Sequence, residues 1–274
     1  MKKIGLFIII IIASVYFIFP FYWVIESMTK DTSQLFLGTF FPESLSQLIS
    51  NISKTFSYEN GIYWMWFLNS LLYSSAGGLI GTFMASLGGF AFSRYKFLGK
   101  RVLFILILGF SMVPGVASII PLFVMFKNVS LLDTYWAIII PTFSNVFGIY
   151  LMTLYWNQVP QDIFDAAKID GANDVRIFFQ IGLPLVFSAF ITLFLLGFIG
   201  IWNNYFLALI MLRSSNKFPL ILGLSNINSL IGLPGQSSLY PVIITGSFFS
   251  ILPLILIFFA FQKFLTPKIV GSIK

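Results

Sequence analysis

Few residues in this chain are equipped for covalent chemistry. The 274 residues include no histidine and no cysteine, which excludes His-based triads, thiol nucleophiles, disulfides, thiolate metal sites and the HExxH zinc helix. The nine carboxylates are Glu26, Asp31, Glu43, Glu59, Asp133, Asp162, Asp165, Asp170 and Asp174. All fall at the ends of apolar runs or between them, so no acid pair is offered for an intramembrane aspartyl reaction, and no buried charge marks a proton relay or an ion-coupled pathway. No GxxxxGK[ST] phosphate loop gives the chain a nucleotide site of its own. Catalytic residues, metal and cofactor are therefore not expected, and any uphill movement of a solute must draw its energy from a partner. Two sets of residues remain. One is a long polar stretch between Trp156 and Val186, NQVPQDIFDAAKIDGANDVRIFFQIGLPL. The other is the polar groups Asn69, Ser111, Asn145, Asn203 and Asn204, which stand inside otherwise apolar runs.

The elements that carry these residues follow from composition. Hydrophobic residues make up 58% of the chain, charged residues 9%, and mean hydropathy is +0.94, which places the chain in a membrane. Crossing a hydrocarbon layer of roughly 30 Å takes about 20 apolar helical residues, because only a helix satisfies its own backbone there. Six runs qualify, near residues 4–25, 64–92, 102–126, 135–156, 185–211 and 241–262. They are continuous rather than alternating, which excludes a β-barrel. The expected fold is all-α: a polytopic membrane protein of six transmembrane helices, one transmembrane domain over 1–274, with its core spans at 64–262 and a polar segment at 157–184 between spans four and five.

Orientation follows from the basic residues. With the N-terminus inside, that side carries Lys2, Lys3, Arg94, Lys96, Lys100, Arg101, Lys168, Arg176, Lys263, Lys268 and Lys274, eleven of the sixteen. By the positive-inside rule both termini are cytoplasmic, and the net charge of +7 has a topological cause rather than a nucleic-acid partner. Lys2 and Lys3 before an apolar run also describe a signal peptide. This run is too long and lacks a small-residue cleavage site, so an uncleaved first helix is expected.

Within the polar segment, Pro160 suits the first turn of a helix, and Asp162 and Asp165 lie where negative charge favours exposed amide dipoles. A short helix is expected from about Gln161 to Asp170. Gly171 should end it in the left-handed conformation, Asn173 or Asp174 should cap a second helix, and Pro184 should mark the start of the fifth span. Ile163, Phe164, Ala167 and Ala166 place small and apolar groups among the charges, a knob that suits a cleft on another protein. An amphipathic hairpin resting on lipid headgroups would read similarly.

The spacing favours the cleft on another protein. Asp165-Ala166-Ala167, three residues, Gly171, nine residues, then Ile181, Leu183 and Pro184 resembles the EAA loop of permease subunits in ATP-binding-cassette importers, with Asp165 where that family usually has Glu. "FPFYWVIESMTK" at 19–30, "NS" at 69–70, "GGFAFSRYKFLGK" at 88–100, "IIPLF" at 119–123, "LLDTYWAIIIP" at 131–141, "WNNYF" at 202–206 and "VGSIK" at 270–274 are similar, in order, to the carbohydrate-uptake branch, specifically the second, six-span permease of maltose-type systems. That branch's WND is Trp202-Asn203-Asn204 here, one carboxylate fewer. The resemblance implies an ATP-driven importer of a sugar or related solute. Its partners would be a cytoplasmic ATPase dimer, a second permease and an extracytoplasmic solute-binding protein. Asp165, Ala166, Ala167, Asp170, Gly171 and Pro184 would couple transport to the ATPase. The rival reading is a secondary carrier or channel without ATP, which would show internal repeats and mid-membrane charges.

Other expectations concern packing and pathway. Gly77, Gly81, Ala85, Gly89 and Ser93 recur every four residues and form one small-residue stripe for close helix approach. An unsatisfied amide in hydrocarbon costs several kcal/mol, so the in-span polar groups should face protein or water. Asn69, Trp202, Asn203, Asn204 and Tyr205 are the candidate pathway residues, since amides beside flat rings suit sugars. Trp23, Trp64, Trp66, Trp136 and Trp156 fall near predicted membrane boundaries, as interface anchors do. The segments 27–63 and 212–240 are expected to receive the binding protein. The tail from Lys263 to Lys274 suits either the ATPase interface or anionic lipid headgroups.

Overall fold

The computed structural model describes residues 2–231, 233 and 239–265; the tail beyond 265, with its closing VGSIK, and part of the 212–240 segment lie outside them. The described residues are helical apart from turns, extended connections and one isolated bridge. The labelled helices are α1 (Lys2–Ser27), α2 (Leu45–Ser57), α3 (Ile62–Arg94), α4 (Lys100–Ser111), α5 (Ile119–Asn128), α6 (Val146–Gln158), α7 (Gln161–Ile169), α8 (Phe187–Trp202), α9 (Tyr205–Met211), α10 (Leu220–Leu230) and α11 (Tyr240–Leu265). Four stretches, Gly5–Ser27, Leu45–Arg94, Trp136–Gln158 and Tyr240–Phe264, are long and apolar enough to cross a membrane. Two bent helix pairs raise the number to six if each pair is one span.

Those two pairs depart from the continuous runs expected at 102–126 and 185–211. Lys100–Ser111 and Gly115–Asn128 meet at 100°, because Pro114 has no N–H to continue the helix and drives the residue before it out of the α region. Asp174–Leu185 and Phe187–Trp202 meet at 83°. There the π-helical turns Ile177–Gly182 lead into Pro184, and Val186 sits at φ −104 and ψ 14 between the two arms. A third interruption separates α8 from α9. The Asn203 side-chain Nδ2 donates back to the Ile199 carbonyl at 2.9 Å, and the Asn204 side-chain Oδ1 accepts from the Leu207 amide at 3.2 Å as the cap of α9.

The chain divides into two compact units. The first comprises Met1–Phe67 and Leu222–Pro253. Its interior holds Tyr63 and Trp66, with the Trp66 ring packed on Gly223 so closely that a Cβ there would lie 2.2 Å away. The Tyr63 hydroxyl donates to the Gly246 carbonyl at 2.9 Å. Asn51, fully buried on α2, donates to the carbonyls of Met28 and Lys30 at 2.9 and 2.8 Å, and a buried Glu26–Lys30 ion pair closes the end of α1. Further back, α1 is bare: Leu6–Ile12 and Val15–Phe19 are each about half exposed or more.

The second unit comprises Leu68–Ile221 and Leu254–Lys274, and it contains the small-residue stripe. A Cβ at Gly81 would sit 2.6 Å from the Thr142 carbonyl oxygen, and one at Gly89 would sit 2.6 Å from Met152 Cβ and 2.8 Å from the Thr153 amide. Ala85 meets Gly148, and the Ser93 hydroxyl donates to Asn157 Oδ1 at 2.8 Å. The stripe is therefore a packing surface for residues 142–157, as its spacing suggests. Asn145 caps α6 by accepting from the Gly148 amide at 2.8 Å, and Ser111, which is exposed, donates to the Leu108 carbonyl at 2.7 Å.

Two of the expected interface tryptophans are interior. Trp23, Trp64 and Trp136 are about half exposed, but Trp66 is 2% exposed and Trp156 is 0%. Trp64 and Trp66 are two residues apart on one helix, so at 3.6 residues per turn their side chains point to nearly opposite faces. Only one can face lipid. Trp156 spends its indole N–H on the Ser86 carbonyl at 3.1 Å.

Asp133 organises the loops at one end of this unit. Held at φ +56, it accepts through Oδ1 from the amides of Arg213 and Ser214 at 3.0 Å and through Oδ2 from the Ser214 hydroxyl and Lys217 Nζ. Burial pushes the carboxyl up, but these donors outweigh it and hold it well below the usual carboxylate range. A depressed folded-state pKa means the contribution is fully present above the unfolded value and is lost only as pH falls through the folded one. Asp133→Asn should thus lower the unfolding temperature of the detergent-purified chain at neutral pH, by the equivalent of about 2 kcal/mol for charge-assisted bonds at a partly exposed site. An unchanged unfolding temperature would remove the staple from the account.

Candidate functional site

The polar segment folds as a short exposed helix fixed to the bundle beneath it. Pro160 occupies the position before α7, at φ −55 and ψ 137, and Asp162 lies in its first turn. The helix ends where Gly171 was expected to end it. Gly171 is at φ +77, its amide donates to the Lys168 carbonyl at 3.0 Å, and the Ala172 amide donates to the Ala167 carbonyl at 2.9 Å. This paired closure satisfies the last carbonyls of the helix. Asn173, rather than Asp174, caps the next turn by accepting from the Arg176 amide at 2.8 Å. Asp174 is instead a partner of the Tyr95 hydroxyl, which is pushed up to about 12 by burial first and by this carboxylate second.

The helix has two faces, and they divide the candidate residues. Phe164 and Ala167 are buried, at 2% and 7% exposure, within the core of this chain. Asp162, Asp165, Ala166, Lys168, Ile169, Asp170 and Gly171 are exposed. The knob expected from Ile163, Phe164, Ala167 and Ala166 is thus corrected: on a helix, residues three apart share a face, so Phe164 and Ala167 turn inward together. Ala166 and Ile163 remain outside with the carboxylates. The Asp165 carboxylate accepts from the Gln161 side-chain amide at 3.0 Å. Pro184 is exposed just before the 83° bend.

Beneath α7 lies an aromatic cluster of Phe90, Trp156, Phe164 and Phe178. Ring centroids are 4.9 Å apart for Phe90–Trp156, 5.4 Å for Phe90–Phe178 and 5.6 Å for Trp156–Phe178. Two residues not singled out from sequence complete it. Arg94, the last residue of α3, places its guanidinium 4.0 Å over the Phe164 ring and donates to the carbonyls of Trp156 and Val159 and to Gln161 Oε1. Gly182, the unspecified position of the Ile181-to-Pro184 pattern, lies against Trp156, where a Cβ would approach the ring to 2.5 Å. The sequence signals for Arg94 are its place at the end of a span, where a cation suits the helix dipole, and its membership of the GGFAFSRYKFLGK stretch.

The candidate pathway residues are not gathered into one site. Asn69 is buried and donates to the carbonyls of Asn216 and Phe218 at 2.8 and 3.1 Å, which makes it a loop staple alongside Ser70 and Tyr73. Trp202 is 4% exposed and stacks on Phe198 with centroids 5.7 Å apart. Asn203 is exposed, and Tyr205 is half-buried against Phe206. Asn204 lines a cleft of about 330 Å³ with Ser118, Pro141 and Phe206, at the level of the 100° bend. No group of three or more acidic residues suited to a metal ion occurs among the described residues.

Comparison with known proteins is consistent with this architecture. The arabinooligosaccharides transport system permease protein AraQ of Bacillus subtilis (strain 168) is 32% identical over 274 residues, covering 99% of this chain and 96% of that one. The lactose transport system permease protein LacG of Rhizobium radiobacter is 31% identical over 259 residues, 94% of this chain and 91% of its own. Among solved structures, a chain of a bacterial ABC transporter involved in the import of the acidic polysaccharide alginate superposes with a TM-score of 0.84 at 24% identity, over 97% of this chain and 96% of that one. A chain of a bacterial alginate ABC transporter in complex with an alginate pentasaccharide-bound periplasmic protein superposes with a TM-score of 0.63 at 13% identity, over 96% and 94%. The sequence pattern of the binding-protein-dependent transport system inner membrane component matches residues 77–271. The chain belongs to that family and is an integral-membrane permease subunit of an ATP-binding-cassette importer.

Proposed function

We propose that this permease carries a sugar or oligosaccharide across the cytoplasmic membrane with both termini inside, in a complex with an ATPase dimer, a second permease and an extracytoplasmic solute-binding protein. It supplies no ATPase site itself. The relatives named for arabinooligosaccharide and lactose transport support the solute class, and the bare apolar surface of α1 suits lipid and a second permease. The observation that carries the coupling role is the two-faced α7, clamped inward through Phe164 and Arg94 and presenting Asp165 and Ala166 outward. A short helix held this firmly moves as a rigid body with the spans below it. A photo-crosslinker at Ala166 should capture the ATPase in intact membranes; failure to capture it would end the coupling assignment. Loss of growth on one oligosaccharide after deletion, across a panel of carbon sources, would identify the solute.

Gly171 tests the backbone of this device. Its φ of +77 disfavours any β-branched residue, yet nothing lies within 4 Å of the position a Cβ would take. Gly171→Val therefore strains the helix end by about 1–3 kcal/mol without a clash. Uptake should drop about tenfold while the amount of chain in the membrane is unchanged; normal uptake would separate Gly171 from coupling.

On this reading Asn204 meets solute hydroxyls, with Asn203, Trp202 and Tyr205 next to it in sequence; its position on the cleft beside the bend supports that role. Asn203→Ala should change selectivity or rate without changing assembly, measured as uptake of competing sugars. Unchanged uptake of each would take Asn203 off the pathway.

A further inference from the structure

The same end of the second unit that carries α7 also carries a cleft that the coupling role does not use. It lies between the first turn of α4 and the last turns of α6 and encloses about 690 Å³, within the range of about 300–1,000 Å³ typical of small-ligand sites. Its floor is aromatic. Phe92 packs on Phe97 and on Phe104, with centroids 5.6 Å apart in each case. Its rim is cationic: Lys100 and Arg101 line it, and no carboxylate does. Lys100 Nζ is held at 3.1 Å by the Tyr95 carbonyl, whereas Arg101 is exposed and makes no hydrogen bond or ion pair among the described residues. Beyond these two cations α4 is apolar and outward-facing, with Val102 62% and Ile105 57% exposed.

We propose that this cleft binds an anionic phospholipid, its phosphodiester on Lys100 and Arg101 and the start of an acyl chain over the phenylalanines. The assignment rests on charge and position together. In an integral-membrane chain, a cation pair at the first turn of an apolar helix lies at headgroup level, and basic pockets between helices there select acidic headgroups. A zwitterionic lipid would satisfy the aromatic floor but not the two cations. The proposal depends on membrane insertion and not on coupling, so it stands or falls separately from the role of α7.

The test uses the assembled transporter in nanodiscs of phosphatidylcholine and phosphatidylglycerol in equal parts, with a photoactivatable phosphatidylglycerol at trace level and peptide mapping by mass spectrometry. Label should concentrate in residues 92–104 and be displaced by unlabelled phosphatidylglycerol but not by phosphatidylcholine. Each charge should contribute about fivefold, so Lys100→Gln with Arg101→Gln should bring labelling down to that of a phosphatidylcholine probe. Lys168→Gln, at the same end but outside the cleft, should leave it unchanged. Equal labelling by the two lipids, undiminished labelling of the double variant, or an unlabelled cleft in which a crosslinker at Leu98 captures another subunit would each overturn the proposal. The displacement arm needs no variant and remains decisive if the double variant fails to assemble.

Discussion

Arg94→Ala is expected to reduce solute uptake about a hundredfold while the subunit stays inserted and the assembled transporter continues to hydrolyse ATP. The side chain closes the gap between α3 and α7 in two ways: the guanidinium lies 4.0 Å over the Phe164 ring, and its nitrogens donate to Trp156, Val159 and Gln161. Charge-assisted bonds at a partly buried site, together with the ring contact, are worth about 3 kcal/mol in total. Their removal leaves the Val159 carbonyl seeking another donor at the root of the helix and the Trp156 carbonyl with the Val159 amide at 3.3 Å. α7 then loses its fixed angle to the span, and motion at its outer face is no longer delivered to the bundle. Arg94→Lys should be nearly as damaging, because an ammonium cannot serve several acceptors in the planar arrangement of the guanidinium. The measurement is uptake and hydrolysis on the same reconstituted sample. A parallel fall in both would mean that assembly, not coupling, depends on Arg94, and no fall in either would mean that the clamp is dispensable.

That role was not visible in the sequence, whereas much around it was. The start and stop of α7 are local signals: Pro160 ahead of it, Gly171 behind it and Asn173 capping the next turn act within a few residues of themselves, and all three sit as their types dictate. The stripe from Gly77 to Ser93 was equally legible, since its period belongs to one helix. Arg94 acts across more than sixty residues of sequence and Asp133 across about eighty, and no local pattern carries such a pairing. The bends had a different cause. Pro184 marks a span start in the sequence and Pro114 lies unremarked within the run 102–126; a continuous apolar run reads as one span until packing shows where its two arms diverge. Gly182 is hidden in the sequence because Trp156, at the end of an apolar run, reads as an interface anchor; the tryptophan turns inward and requires a residue without a Cβ opposite it.

Gly89→Val should prevent stable packing of the second unit, reducing the chain recovered from membranes to a small fraction of wild type. Any side chain at 89 begins 2.6 Å from Met152 Cβ, 2.8 Å from the Met152 carbonyl carbon and 2.8 Å from the Thr153 amide. Two of these three atoms are backbone of α6, so no rotamer change can relieve the contact and the helices must separate. Overpacking in a close interface costs typically 1–3 kcal/mol, and here separation also weakens the neighbouring contacts at Gly81 and Ala85. The expected loss is therefore at least about 3 kcal/mol, a large fraction of what an ordinary domain has to spare. The informative control is Gly109→Val on α4, where a Cβ would meet nothing within 4 Å. Both substitutions add the same apolar bulk to a glycine of a transmembrane run, so hydropathy and helix propensity change alike. Only the space differs. Full-length protein in membranes and the unfolding temperature of the purified chain should fall for Gly89→Val and hold for Gly109→Val. Equal behaviour of the two would mean that the stripe reflects composition rather than close approach, because the lipid environment supplies no hydrophobic force to bring these helices together and contact between them must do so.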